Sequence, residues 1–578
     1  MRVPGAVPGR GDPPGGRRGG PWLRRCPRVP EGVRTRAGMP PSPFSYVVVR
    51  DEENVLRIPA LVRGELVHAG AIRRDELEAA ARDRGGAGGD GQGPEAFRVG
   101  EASVLRTPLL DASRRPTGEV RYLVLPRPEP SRLIETDPAE LSRSVFSLPF
   151  EEVLAYLGAL RSALSSGRDE IRQAVRSLGP GSAGGPGLEA LILDVLPRLL
   201  EPASLAAAVD SELGAGAVPG RRYLDGWVEA AQSHPGLTAR LGAGLGIPSR
   251  PAGSRFASLV RAVPTRQLHV TAGNSPLVLF LSLLRGLLTK GACTVKAASD
   301  AVGTMAVLIA ALRAAGPEHP ITRHTSLAYW PGGDREIEDP LLAPGAYDRV
   351  VVWGSAETLR SVRSRAVHTK VVALAPRYGV SLVGRQATDS LDEVAAAACV
   401  DTLIGDQKAC TASLVHYVEG DEGRAVAYCE ALRLALARWD RLLPCPLPLA
   451  VQGRLRLLRR GPLSRASWFQ NGRAPDLRSA VVYSPEPFDL SLHPLSRFVV
   501  VRRVDRLEDA LRFVGPAVAT AGVHPPAALG ELRDLLAAAG VSAVFPLGES
   551  ERAWPGMPHD GMRVLSELVS WVSSGEAR

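Results

Sequence analysis

The sequence predicts an α/β chain: a doubly wound nucleotide-binding domain, a second α/β catalytic domain after it, and an N-terminal β and helical region before it. Two observations carry this. Between Arg261 and Tyr378, five short apolar runs alternate with helical patterns, as in a parallel sheet covered on both faces. After Tyr378 the alternation restarts. At 578 residues the chain is long enough for two or three domains with large cores.

In order, residues 1–44 are rich in Gly, Pro and Arg with almost no apolar periodicity, and are expected to be a disordered, dispensable basic leader with Met39 as a candidate start. Residues 45–145 carry β-like runs at Ser45–Val49 and Glu119–Leu125, interrupted by the glycine-rich insertion 84–94. That insertion has no GKS/T ending and opens no helix, so it is a poor phosphate cradle. Residues 146–260 are expected to be helical, starting with an amphipathic helix after Pro149 and a second helix over 188–200.

The nucleotide unit, 261–378, is expected to place strands at 267–271, 292–296, 325–330, 349–353 and 370–374, with helices between them. Ligands of such a sheet lie at the carboxyl ends of its strands. Residues 379–546 form the second α/β unit, and 547–578 a docking or oligomerisation segment in which 561–573 reads as an apolar-faced helix.

Composition excludes several classes. The chain has a formal charge of +9, but residues 1–44 hold nine arginines against two acids, which leaves only +2 for the other 534 residues. Bulk charge therefore gives no reason to expect nucleic acid as a partner. Six cysteines show neither CxxC pairs nor zinc spacing, so neither a disulfide framework nor a metal site is indicated, and a reducing cytoplasm is the expected compartment. The longest apolar run, Leu277 to Leu288, is too short to span a bilayer and contains Arg285.

Three stretches carry chemistry. Gly405-Asp406-Gln407-Lys408-Ala409-Cys410-Thr411 reads as an active-site loop: small and polar residues surround one thiol, and Lys408 and backbone N–H groups would favour its thiolate. A buried, inert cysteine is the plain alternative. Thr271-Ala272-Gly273-Asn274-Ser275-Pro276 joins a strand to a helix, where the Asn274 amide could serve an oxyanion or cap the helix. Lys296 ends the second strand at the ligand edge, with Ser299 close enough to share a ribose or phosphate. Gly354 and Ser355 open a helix after the fourth strand, a placement suited to pyrophosphate. The GxGxxG fingerprint of an ordinary dinucleotide fold is absent.

The segments Leu268–Leu277, Tyr329-Trp330-Pro331, Val352-Trp353-Gly354 and Asp406–Cys410, in this order, resemble the LuxC-type fatty acyl-CoA reductases of the aldehyde dehydrogenase superfamily. Arg222–Val228 and Glu567–Val572 are similar to the family as well. The resemblance covers roughly Phe146 to Val572. It implies an aldehyde dehydrogenase-like fold and NADPH-dependent reduction of an acyl-CoA, or a related activated acyl group on a carrier, to the aldehyde. Cys410 becomes the acyl-accepting nucleophile, Asn274 the oxyanion donor and Lys296 the adenosine-ribose contact. Thr271, Ala272, Gly273, Ser299, Gly354 and Ser355 fall to the cofactor site. Ser299 stands where many NAD-preferring relatives have glutamate, which favours a 2′-phosphate and hence NADPH by charge.

His368, expected near the ligand edge, resembles the family's nucleophile-associated histidine. An ordinary helix-terminal histidine is the alternative. Hydrolytic superfamily members carry a general-base glutamate where this chain has Ala375-Pro376-Arg377-Tyr378, so water activation is disfavoured. The resemblance further implies a homo-oligomer and, in some members, an acyl-activating partner enzyme. The alternatives are a CoA-acylating aldehyde dehydrogenase, an acyl-phosphate reductase and a non-catalytic acyl-binding partner.

Overall fold

The computed structural model describes residues 44, 48–83, 94–110, 116–178, 187–216, 218, 220–232, 256–442, 447–550, 552 and 556–577. The expected leader, apart from Phe44, and the glycine-rich insertion, apart from Pro94, lie outside these residues.

The nucleotide unit forms strands Arg266–Val270, Ala292–Ala297, Thr325–Tyr329, Arg349–Trp353 and Lys370–Leu374, all parallel. Their spatial order is fifth, fourth, first, second, third, so the winding reverses between Arg266–Val270 and Arg349–Trp353. A crevice opens at such a reversal because successive crossover helices leave to opposite faces. The hairpin Ala60–Val62 and Glu65–Val67 extends this sheet antiparallel to Thr325–Tyr329, a pairing that local periodicity does not show. Helix Val302–Ala315 is buried from Val302 to Leu312 between this sheet and helix Phe150–Ser166.

The second unit is a seven-stranded sheet in the order Ser467–Asn471, Ser479–Tyr483, Phe498–Val504, Ser413–Glu419, Tyr378–Val383, Val518–His524, Ala543–Pro546. All its neighbours pair in parallel except the antiparallel edge strand Ser467–Asn471. Two expectations are corrected. The stretch 146–260 is not wholly helical: Val228–Gln232 and Phe256–Val263 are strands. Residues 561–573 are not one helix either, since a single turn, Val564–Glu567, leads into strand Ser570–Ala577. That strand pairs along its length with Phe256–Val263. Its residues, Ser-Trp-Val-Ser-Ser-Gly-Glu-Ala, carry neither period clearly, and the long-range partner decided.

Candidate active site

The carboxyl ends of the first four strands of the nucleotide sheet enclose a cavity of about 570 Å³. Thr271, Ala272, Lys296, Gly354 and Ser355 line it, with Trp330 and Trp353 as walls. Lys296 is buried, with its Nζ 5.7 Å from the Trp330 ring centroid and 5.9 Å from that of Tyr329. Burial pulls its pKa down to about 8, with Glu338 opposing. Ser355 caps helix Ala356–Arg365 by accepting from Thr358 N–H, and Glu357 and Thr358 of the same first turn also line the cavity. A dinucleotide fits this donor set: a crevice at the reversal point, a buried cation and a helix start. Gly273 and Ser299 do not line the cavity; Gly273 packs against Asp300 and Ala298.

The cysteine loop is held by its own backbone strain and by one glutamine. Gly405, Asp406 and Gln407 are successively left-handed, with φ of 57°, 54° and 63°. Two of them are not glycine, a cost that persists where the surroundings over-determine the conformation. Gln407 supplies that constraint: its Oε1 accepts from Phe498 N–H at 3.0 Å and its Nε2 donates to Phe498 O at 2.7 Å. The loop is thereby clamped to the amino end of strand Phe498–Val504. Gly379 N–H donates to Ala412 O at 2.7 Å, and a Cβ there would meet Thr411 O at 2.4 Å, so only glycine permits the approach.

Asn274 joins the two units. Helix Pro276–Leu288 is capped by Ser275, not Asn274, and the Asn274 Nδ2 donates to Lys408 O at 2.9 Å. The first turn of the nucleotide unit therefore touches the loop two residues before Cys410.

Cys410 is half-buried and its thiol is pushed up to about 11, first by burial and then by Asp560, against the pull of Arg285 and Arg377. These three charged groups were not legible in the sequence. Arg285 is 9% exposed, lies 5.5 Å from the Trp353 ring centroid, and has an Nη1 without a hydrogen-bond partner. Its pKa falls to about 10 through burial. Asp560 pairs with Arg377 Nε at 3.6 Å, and burial raises its pKa. His559 packs edge-on to Trp353 at 5.0 Å and is held neutral by burial, near 3. Trp353 Nε1 donates to Ser282 Oγ, which also meets His269 Nδ1 at 2.9 Å. Lys408, expected to favour the thiolate, is exposed and acts on Asp300 instead.

His368 is not brought to this cluster. It is exposed and precedes Lys370–Leu374, and because that strand is parallel to its neighbour, His368 stands at the amino edge of the sheet, opposite the cavity. The expectation of a ligand-edge position is corrected. A carboxylate, absent at 375–378, reaches the neighbourhood as Asp560 from nearly two hundred residues further on, tied by Arg377. Among the described residues no group of histidine, cysteine and acidic side chains could hold a metal ion. Among them, too, no helix is long and apolar enough to cross a membrane.

Residues 255–571, more than half the chain, match the family model for acyl-CoA reductase (LuxC). The long-chain acyl-protein thioester reductase of Vibrio harveyi is 29% identical over 328 residues, covering 54% of this chain and 65% of that protein. A second such reductase, from Photobacterium leiognathi, is 27% identical over 321 residues with the same coverage. The chain thus spans just under two thirds of the length of these relatives. Among solved structures, the P. syringae indole-3-acetaldehyde dehydrogenase in complex with NAD+ and IAA superposes with a TM-score of 0.62 at 14% identity, covering 90% of this chain and 96% of that one. Lactaldehyde dehydrogenase from Escherichia coli gives 0.61 at 13% identity, covering 90% and 99%. At these identities the structural likeness establishes an aldehyde dehydrogenase fold.

Proposed function

The chain belongs to the acyl-CoA reductase (LuxC) family, and from that premise we propose that it reduces an acyl thioester to the aldehyde through an acyl group carried on Cys410. The observation that carries this reading is the Asn274–Lys408 hydrogen bond. It ties the ligand edge of the nucleotide sheet to the cysteine loop, so cavity and thiol serve one reaction. The relatives' names add that the thioester can be protein-borne and long-chain.

In the proposed sequence, Cys410 sulfur attacks the thioester carbonyl. The Asn274 amide turns from Lys408 O to the developing oxyanion, and the donor sulfur leaves as a thiol, taking up the proton that Cys410 gives up. NADPH, held by Lys296, the Gly354-Ser355 turn and the Thr271-Ala272 turn, supplies hydride when bound. Ser299, which brings no carboxylate, is compatible with a 2′-phosphate, and the Asp300 carboxylate beside it faces Gly273 rather than the cavity. Asp560, the carboxylate among the described residues that acts on the Cys410 thiol, is engaged by Arg377 and so poorly placed to activate water, which lets the acyl group persist until reduction. Edge strand Ser570–Ala577, with Trp571 and Val572 exposed, supports a homo-oligomer, and an acyl-activating enzyme is the natural source of substrate.

The test is intact-protein mass after incubation with palmitoyl-CoA, before and after NADPH. An acyl adduct that is absent from Cys410→Ala and is discharged as aldehyde by NADPH is expected. Labelling that survives in Cys410→Ala would sink the assignment.

A further inference from the structure

Between Asp440 and Asp476 lie seven arginines and no aspartate, glutamate, lysine or histidine. Since residues 45–578 carry a net +2 and this segment alone carries +7, the rest of that body is net negative. Most of the segment is helix Leu449–Arg460, which buries Val451, Gln452, Leu455 and Leu458 against the second sheet. The opposite face, spaced i, i+4, i+7, i+8, i+11, presents Leu449, Gly453, Arg456, Leu457 and Arg460. Leu449 is 68% exposed and Leu457 71%. A Cβ on Gly453 would meet nothing within 4 Å, so the helix carries an open notch between two apolar knobs and two guanidinium groups. Arg454, Arg456, Arg460 and Arg465 have no acidic partner among the described residues.

The position of this helix relates it to the thiol. Leu447 N–H donates to Leu477 O at 2.8 Å, two residues before strand Ser479–Tyr483 begins, so the helix starts at the amino edge of the sheet. Cys410 stands three residues before strand Ser413–Glu419, at the same edge. The two strands are separated by Phe498–Val504, with all three parallel. Two inter-strand spacings amount to about 10 Å. A thioester arm anchored at Leu449 would have a short path to Cys410.

We propose that the Leu449–Arg460 face docks an acidic acyl-carrier protein, whose thioester arm then reaches Cys410. This deepens the proposed function and rests on it. Charge complementarity supplies encounter, and an acidic helix laid along the leucine and glycine stripe supplies the apolar contact. A phosphate-tracking surface would not set two bare leucines among its arginines. A face aimed only at a lipid surface would have no reason to begin at the edge that carries the thiol.

Steady-state kinetics with palmitoyl-acyl carrier protein and with palmitoyl-CoA test this on the full chain. In the double variant R456E/R460E, KM for the carrier-bound donor is expected to rise at least tenfold with kcat held, while both constants for palmitoyl-CoA stay unchanged. Leu457→Ser is expected to act in the same direction without altering charge. Added salt should raise the carrier KM of the wild type and leave that of the double variant nearly flat. Equal losses with both donors, or no change with the carrier, would overturn the proposal. So would loss of binding to phosphatidylglycerol vesicles while carrier kinetics stay unchanged, which would make the face a membrane contact. If the wild type turned over neither donor, the reductase reading itself would fail. Titration with unacylated holo-carrier would still decide the docking, with Kd weakened at least tenfold in R456E/R460E supporting it and equal Kd refuting it.

Discussion

Cys410 sits among opposed influences: burial first and then Asp560 hold the thiol protonated, while Arg285 and Arg377 favour the thiolate. With the thiol pushed up to about 11, only a small thiolate share exists at neutral pH, and a nearby charge that moves the pKa by about one changes that share about tenfold. Removing the Arg285 cation raises the thiol further, so Arg285→Met should slow iodoacetamide alkylation of Cys410 at pH 8 by roughly tenfold. Asp560→Asn removes an anion and should speed it by a similar factor, the opposite sign. Alkylation that falls in both variants would show that packing, not charge, is being read. Of this cluster, Cys410 and Asn274 were legible as residue types in a polar loop and a strand-to-helix turn. Arg285 was hidden inside an apolar helical run, and Asp560 in a segment with no motif.

At the scale of elements, the second strand of the nucleotide sheet ends in a buried cation. Lys296→Met should raise KM for NADPH at least tenfold while the Cys410 acyl adduct forms at the wild-type rate. Loss of both would mean the strand end has been displaced. The loop after helix Pro202–Leu213 is fastened to the sheet by a second lysine. Lys290, left-handed and 2% exposed, donates to Asp225 Oδ1 at 2.6 Å and to Leu224 O at 3.4 Å. Asp225→Ala leaves that buried ammonium with Leu224 O alone and should cost about 1.5 kcal/mol in urea unfolding, the low end for a hydrogen bond to a charged group, because Asp225 is itself partly exposed. A change below about 0.5 kcal/mol would place the ammonium in water. The strand and helix periods around both lysines were readable because each element buries one face. The partner of Lys290, 65 residues earlier, was not.

For the molecule as a whole, acid is the informative stress. His269, His416, His493 and His559 are held neutral by burial, each lowered to about 3. An unfolded histidine titrates near 6.5, so between about 3 and 6.5 the unfolded chain binds more protons. Stability is therefore full above about 6.5 and falls as the pH drops through that window, each histidine contributing as much as about 1.4 kcal/mol per pH step of one. The urea midpoint should drop steeply between about pH 6.5 and 5, and His416→Asn should lessen the slope. A midpoint flat over that range would mean these rings are solvated.

What the sequence by itself determined is the α/β class, the five parallel strands of the nucleotide sheet and the helix after the first of them, because burial on a sheet or helix face imposes a local period. Cys410 and its loop were legible for the same local reason. The tertiary structure decided which distant charges surround the thiol, that Asn274 leans on Lys408, and that His368 stands at the far edge. It also turned residues 570–577 into a strand and set the start of the arginine-bearing helix Leu449–Arg460 at the sheet edge that carries Cys410. These depend on strand order and on contacts hundreds of residues apart, and no local period records them.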